Sequence, residues 1–394
     1  MTPILSPQLK TCIYCRKDKD LAEFNLEHTI PQFLGGAFAP DRYKIRDACS
    51  KCNSNLGLFV DASFEKSWIV SNRLRDAAYA SFDPNADIGL PLLCLGTSDL
   101  TPPGLDPTET CEAWLGPLGE RIFWIRPKDD RLYWYMGGNP RTTKDSTSRA
   151  YYTFSERSPS DPRMTWKAFR DSFSGRPVTK IMCTAVSGAN PADIGFSAPD
   201  ELDEERIKYF LDSCEAKNTG NIRLSINAKF DHRFLAKIAI GIGYSLFGRP
   251  ALESAYGDTL FKALWQRESD DPSDIQGVTP LTHQGDPQFL QLTGDNSAVT
   301  LMIMPSPEGV AINLNIGAAL HWTVKCADLS VVTREAMAEI QGGQVITLYR
   351  QLQWGKELPL MDYVAHKSGA KENPHLSAIA AKLSATQNYL QGLP

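Results

Sequence analysis

The sequence predicts an α+β protein, with a small metal-stapled N-terminal ββα unit followed by a larger mixed α+β body on a mostly antiparallel sheet. Three observations carry this reading. Two C-x-x-C pairs, Cys12/Cys15 and Cys49/Cys52, fall within the first 52 residues of a 394-residue chain. The stretch between them reads as strand, turn, strand and the start of a helix. Beyond residue 67, short apolar runs set apart by Pro and Gly clusters alternate with longer runs of helical period.

Taken in order, a strand is expected at 27–32, a turn at Gly35-Gly36 and a second strand at 42–46. A helix starts near Ser50 and runs past Phe59, with Asp61 and Ser63 available to cap a following helix at 64–80. Strands joined by turns fit 81–135, around the aromatic runs 122–125 and 132–136, and a polar loop follows at 137–148. Helices are expected at 164–172, 199–213, 232–247, 251–266 and 375–390. Strands are expected at 299–304, 310–316, 320–326 and 345–352, the first two joined by the turn 305–309. The domain division follows as 1–66 and 67–394, with an Asp- and Ser-rich stretch at 268–276 as a further break.

Composition narrows the function. With 42% hydrophobic and 22% charged residues, the chain is an ordinary globular mix, which excludes disorder and coiled coil as its main state. The net charge of −5 does not mark a polyanion binder. Residues 1–60, however, carry eight basic against six acidic side chains, leaving the excess of acid to the body. Residues 1–10 lack the charged start and apolar core of a secretory signal. The most apolar stretch, 234–247, is short and contains Lys237, so it reads as a buried helix and not a membrane span. Nine cysteines, an odd number, point to reduced thiols or metal ligands over disulfides. A cytoplasmic protein without membrane contact is expected.

Four thiolates in two C-x-x-C pairs suit a tetrahedral structural zinc. Beside them stand Glu27-His28, then Ile30-Pro31 and Leu34-Gly35-Gly36, with Asn53 directly after Cys52. This order, E-H-x-I-P, G-G, C-x-x-C-N, resembles the HNH nuclease family, whose ββα-metal unit is often clamped by such pairs. The resemblance covers residues 12 to about 60. It implies that Glu27 and Asn53 hold a catalytic divalent metal, Mg²⁺ or Mn²⁺, through oxygen atoms. It further implies that His28 is the general base acting on water, with DNA phosphodiester bonds as the substrate. Long bacterial proteins of this kind resemble restriction or antiviral defence effectors, so 67–394 would take an activating ligand or partner protein, or select the target. Lys44 stands where many relatives carry an Asn, and Leu56-Gly57 where many carry Lys or His. Adjacent strand residues point to opposite sides, so Glu27 and His28 share a site only if the strand ends or bends there.

Two other readings fit the same residues. In one, Glu27, His28 and Asn53 serve structure alone in a zinc-ribbon module that binds nucleic acid or protein. In the other, the nuclease acts on RNA. The remaining candidates are weaker. His232, His283, His321, His366 and His375 lack ligand spacing, and Cys94, Cys111, Cys183, Cys214 and Cys326 read as small buried residues. Asp231 reads as a helix cap beside His232. Trp124 and Trp134 sit at strand period and read as core, while Lys66, Arg73 and Arg75 form either a phosphate contact or a solvated face.

Overall fold

Alternating apolar strands run through both halves of the chain, and they pair into sheets that organise two separate units. The computed structural model describes residues 8–83, 85–128, 147–160, 162–173, 177–185, 190–215, 222–223, 228–267, 269–271, 273–280 and 286–391. The first unit joins residues 1–65 to 227–382, and the second holds 66–226 with the last twelve residues. The N-terminal segment is therefore one part of a larger unit, and the stretch 268–276 lies inside that unit. The run at 132–136, Trp134, nearly all of the expected loop at 137–148, and His283 lie outside the described residues.

The first unit opens with β1 (Leu9–Thr11) and β2 (Asp18–Asp20), an antiparallel pair whose turn carries Cys12 and Cys15. Next come β3 (Phe24–His28) and β4 (Lys44–Cys49), paired antiparallel with a bulge between Asn25 and Glu27. The strand expected at 27–32 thus lies earlier and stops at His28. Pro31 lacks the N–H that would continue a ladder, and two 3-10 turns follow it, Gln32–Leu34 and Gly36–Phe38. Gly36 must be glycine, because a Cβ there would lie 1.7 Å from the Ile30 carbonyl oxygen.

Helix α1 (Ser50–Leu56) starts directly on Cys49 and widens into a π-turn, Gly57–Asp61, before the short α2 (Ala62–Glu65). The helix expected at 64–80 begins later, as α3 (Trp68–Ala80) of the second unit, where the Ser67 hydroxyl accepts from the Val70 N–H. Asp61 and Ser63 cap nothing. Asp61 is instead drawn to a lysine far away in sequence.

In the second unit a six-stranded sheet has the order β10-β5-β6-β7-β8-β9. Its strands are β5 (Leu93–Ser98), β6 (Glu109–Leu115), β7 (Arg121–Pro127), β8 (Ser148–Thr153), β9 (Val178–Met182) and β10 (Ile222–Arg223). All pairs are antiparallel except β8 with β9. Phe169 of α4 (Pro162–Asp171) joins Trp114, Ile122, Trp124 and Tyr152 in one core. Phe210 of α5 (Glu201–Glu215) joins Phe123, Ile125 and Tyr151 in another. Alternation along β7 sends its side chains into the two cores in turn.

The first unit resumes with α6 (Ala228–Phe247), α7 (Arg249–Glu253) and α8 (Ala255–Leu264). The single helix expected over 251–266 is broken at Ser254, whose hydroxyl caps α8 through the Gly257 N–H. Asp231 lies inside α6 and accepts from the Trp322 indole at 2.9 Å, so it is no cap. Strands β11 (Gly277–Val278), β12 (Val299–Ser306), β13 (Gly309–Ile316), β14 (Leu320–Ala327), β15 (Gln344–Tyr349) and β16 (Trp354–Pro359) build the second large sheet. It is antiparallel throughout, in the order β11-β14-β13-β12-β15-β16. The chain is α+β, as its sequence predicts.

Aromatic packing and hydrogen bonds fasten the N-terminal segment to this second half of its own unit. Phe64 stacks on Phe234 of α6 at 3.8 Å between ring centres and meets Trp322 of β14 edge-on at 5.1 Å. Arg42 pairs with Glu339 and Glu357, the Trp265 indole donates to the Tyr14 carbonyl at 2.8 Å, and the Tyr244 hydroxyl donates to Asp47 at 2.7 Å. Gly241 lets α6 press against Thr29, beside the end of β3. A Cβ at 241 would lie 2.8 Å from that of Thr29.

Candidate active site and metal centre

Backbone turns bring the two cysteine pairs together. Cys12 and Cys15 sit in the β1–β2 turn, closed by the Cys12 N–H to the Lys17 carbonyl and by the Arg16 N–H to the Cys12 carbonyl. Cys49 ends β4 and Cys52 lies in the first turn of α1. The four sulfur atoms lie within 4.8 Å of one another, and the Cys49 N–H donates to the Cys12 sulfur at 3.3 Å. A hydrogen bond from Cys52, opposed by burial, holds the Cys12 thiol below the ordinary thiol range. Four converging sulfurs of this kind fit a tetrahedral zinc, which would cross-link β1–β2, β4 and α1 as a structural ion.

From this staple β3 runs to His28 and stops. Along it, Glu27 turns inward and is 2% exposed, whereas His28 is only partly buried. Strand alternation therefore separates the two. The Glu27 carboxylate accepts from the Tyr14 hydroxyl at 2.8 Å and lies 3.4 Å from the Lys237 ammonium. Lys237 comes from the buried middle of α6 and also reaches the Asp61 carboxylate at 2.5 Å. Burial raises the Glu27 carboxyl above the usual range, with the Lys237 charge opposing it. Burial likewise pulls Lys237 down, but Asp61 and Glu27 more than restore it, and it remains a cation.

The His28 imidazole stands across the ladder from Lys44, and its Nδ1 lies 3.4 Å from the Gln32 amide nitrogen. Burial, then the positive charges of Lys44 and Lys237, lower its pKa from the ordinary value. It is neutral at pH 7, the form a general base needs. Asn53 works from α1. Its amide nitrogen donates to the Asn25 side chain and to the Leu26 carbonyl, both at 2.9 Å, which ties the helix to β3 just before Glu27.

Of the sequence-predicted residues, the four cysteines converge, and Asn53 meets the strand that bears Glu27 and His28. The three proposed catalytic side chains share no hydrogen bond. Tyr14, Asp61 and Lys237 surround Glu27 although the sequence pointed to none of them for that role. The signal for Lys237 was its place in an apolar helix, since a buried ammonium needs a counter-charge. The donor set around Glu27 is that of a closed ion cluster, and the carboxylate as arranged does not fit a ligand for an exchangeable divalent ion.

Lys66 and the arginines of α3 belong to the second unit, where Arg73 pairs with Asp76 and Arg75 contacts Tyr79 and the Gly116 carbonyl. Trp124 is fully buried, so it offers no stacking face to a base. Cys94, Cys111 and Cys326 are buried, and Cys183 and Cys214 are partly so.

Residues 12–69 match the family model described as HNH endonuclease. That segment is therefore similar to the HNH family, and the resemblance drawn from Glu27-His28 and the cysteine pairs holds over that span. No curated protein and no solved structure matches the chain. Among the described residues, no helix is long and apolar enough to cross a membrane.

Proposed function

We propose that this protein is an HNH-type endonuclease that hydrolyses DNA phosphodiester bonds with His28 as its general base. The observation that carries this reading is the end of β3. There a neutral, part-exposed imidazole sits beside Lys44 inside a matched HNH segment. Lys44 pairs with Asp41, which is 98% exposed, and so weak a surface pair yields readily to a phosphate. Asn53 keeps β3 on α1, and the zinc staple fixes both. HNH nucleases use divalent metals. For the Mg²⁺ or Mn²⁺ expected on Glu27 and Asn53, however, Glu27 offers a carboxylate already held by Lys237, so the chemistry is assigned to His28.

The second unit would supply activation or target choice, as in restriction or antiviral defence effectors. One of its clefts, about 390 Å³, is lined by Arg75, Asp76, Tyr79 and Arg157 among others. One observation favours a second reading, a zinc-ribbon binding module: Glu27 and Asn53 are both engaged in structural bonds.

Cleavage of supercoiled plasmid, single-stranded DNA and RNA separates these readings. Wild type and His28→Ala would be run with Mg²⁺, Mn²⁺ or EDTA after zinc content is confirmed. DNA nicking that falls at least about 100-fold in His28→Ala supports the proposal. Equal rates in the two proteins remove His28 from the chemistry. Cleavage confined to RNA transfers the activity to that substrate.

A further inference from the structure

The Glu27 cluster has a composition that structural ion pairs do not need. Lys237 is 2% exposed and stands between two carboxylates, Glu27 at 3.4 Å and Asp61 at 2.5 Å. Tyr14 donates to the same Glu27 oxygen that faces the ammonium. The second Asp61 oxygen is buried without a hydrogen-bond partner. Two carboxyl groups thus share one ammonium, and Asp61 reaches it from the end of the π-turn Gly57–Asp61. An ion bridging two carboxylates, with spare oxygen ligands around it, is the arrangement a hard divalent cation takes. Here the bridging charge is a lysine carried by α6.

We propose that Lys237 is the resident cation of the Glu27 site. Its ammonium occupies the bridging position between Glu27 and Asp61, and Glu27 anchors an ion cluster and ligates no metal. This deepens the nuclease reading by taking Glu27 out of the metal's ligand set, yet it can be tested without any cleavage. A hydrated ion cannot enter while the ammonium is present, because two like cations would share one buried pair of carboxylates. Removing the ammonium leaves two buried carboxylates, and a divalent ion then restores the charge.

The test is Mn²⁺ binding to the zinc-loaded full-length chain, followed by electron paramagnetic resonance of free Mn²⁺. Wild type and Glu27→Gln are expected to bind Mn²⁺ alike, within two-fold. Lys237→Met is expected to gain one site at least ten-fold tighter than any in wild type, and Lys237→Met with Glu27→Gln to lose it. A wild-type Mn²⁺ site weakened ten-fold or more by Glu27→Gln overturns the proposal, as does a folded Lys237→Met protein that gains no site. If Lys237→Met does not fold, the comparison of wild type with Glu27→Gln decides alone. A nuclease assay that fails leaves this result standing, so the two claims fall separately.

Discussion

The two units are each built on a six-stranded sheet, but they use buried charge differently. In the second unit, one buried carboxylate and one buried guanidinium pair one to one on neighbouring strands of the sheet. Arg126 reaches Glu112 at 2.8 Å, and the Trp114 indole donates to the other oxygen of that carboxylate. The same guanidinium lies over the Trp124 ring, 5.7 Å from its centre. In the first unit, the buried lysine faces two carboxylates from the HNH segment, with a neutral histidine one residue away. The pair in the second unit sets one charge against one. The cluster in the first unit sets one ammonium against two carboxyls that both lie in the segment matched to the HNH family. Buried charge by itself therefore does not mark a site; a carboxylate excess beside a part-exposed base is the more telling pattern.

That contrast can be broken by perturbing each unit in turn. Stripping zinc, or making Cys52→Ser, removes a cross-link worth on the order of 10 kcal/mol in small zinc domains. Scanning calorimetry is expected to lose the first unit's transition and keep the second's. Lys237→Met leaves two buried carboxylates without a counter-charge and should cost the first unit about 4 kcal/mol. Glu112→Gln strands Arg126 and should cost the second unit about 3 kcal/mol, with the first unit's transition unmoved. If either variant shifts both transitions equally, the division into independent networks is wrong. Phe64→Leu thins the stack on Phe234 and should cost the first unit about 1 kcal/mol, read from its denaturant midpoint.

Local signals were legible in the sequence, and distant ones were not. Cys12, Cys15, Cys49 and Cys52 could be paired because spacing of two residues is itself a ligand geometry, and the structure brings their sulfurs together. The strands at 299–316 were legible from alternation and a Pro-Gly turn. Asp61 and Asp231 both look like caps in the sequence, since an Asp near a helix start is indistinguishable from a cap until its partner is known. Those partners, Lys237 and Trp322, lie 176 and 91 residues away. The same distance hid the joining of 1–65 to 227–382, which rests on Phe64, Arg42 and Gly241 meeting side chains and backbone that no local pattern announces.

The pH dependence of plasmid nicking by wild type and His28→Ala decides whether His28 is the neutral base proposed above. Burial, Lys44 and Lys237 all lower the His28 pKa, so the unprotonated form is retained to lower pH than in a free imidazole. The rate should rise with pH along an acid limb whose midpoint lies below 6.5, then level off, and His28→Ala should fall about 100-fold or more across the plateau. A His28→Ala protein that nicks at the wild-type rate, or a wild-type limb centred above 6.5, removes His28 from the role of base.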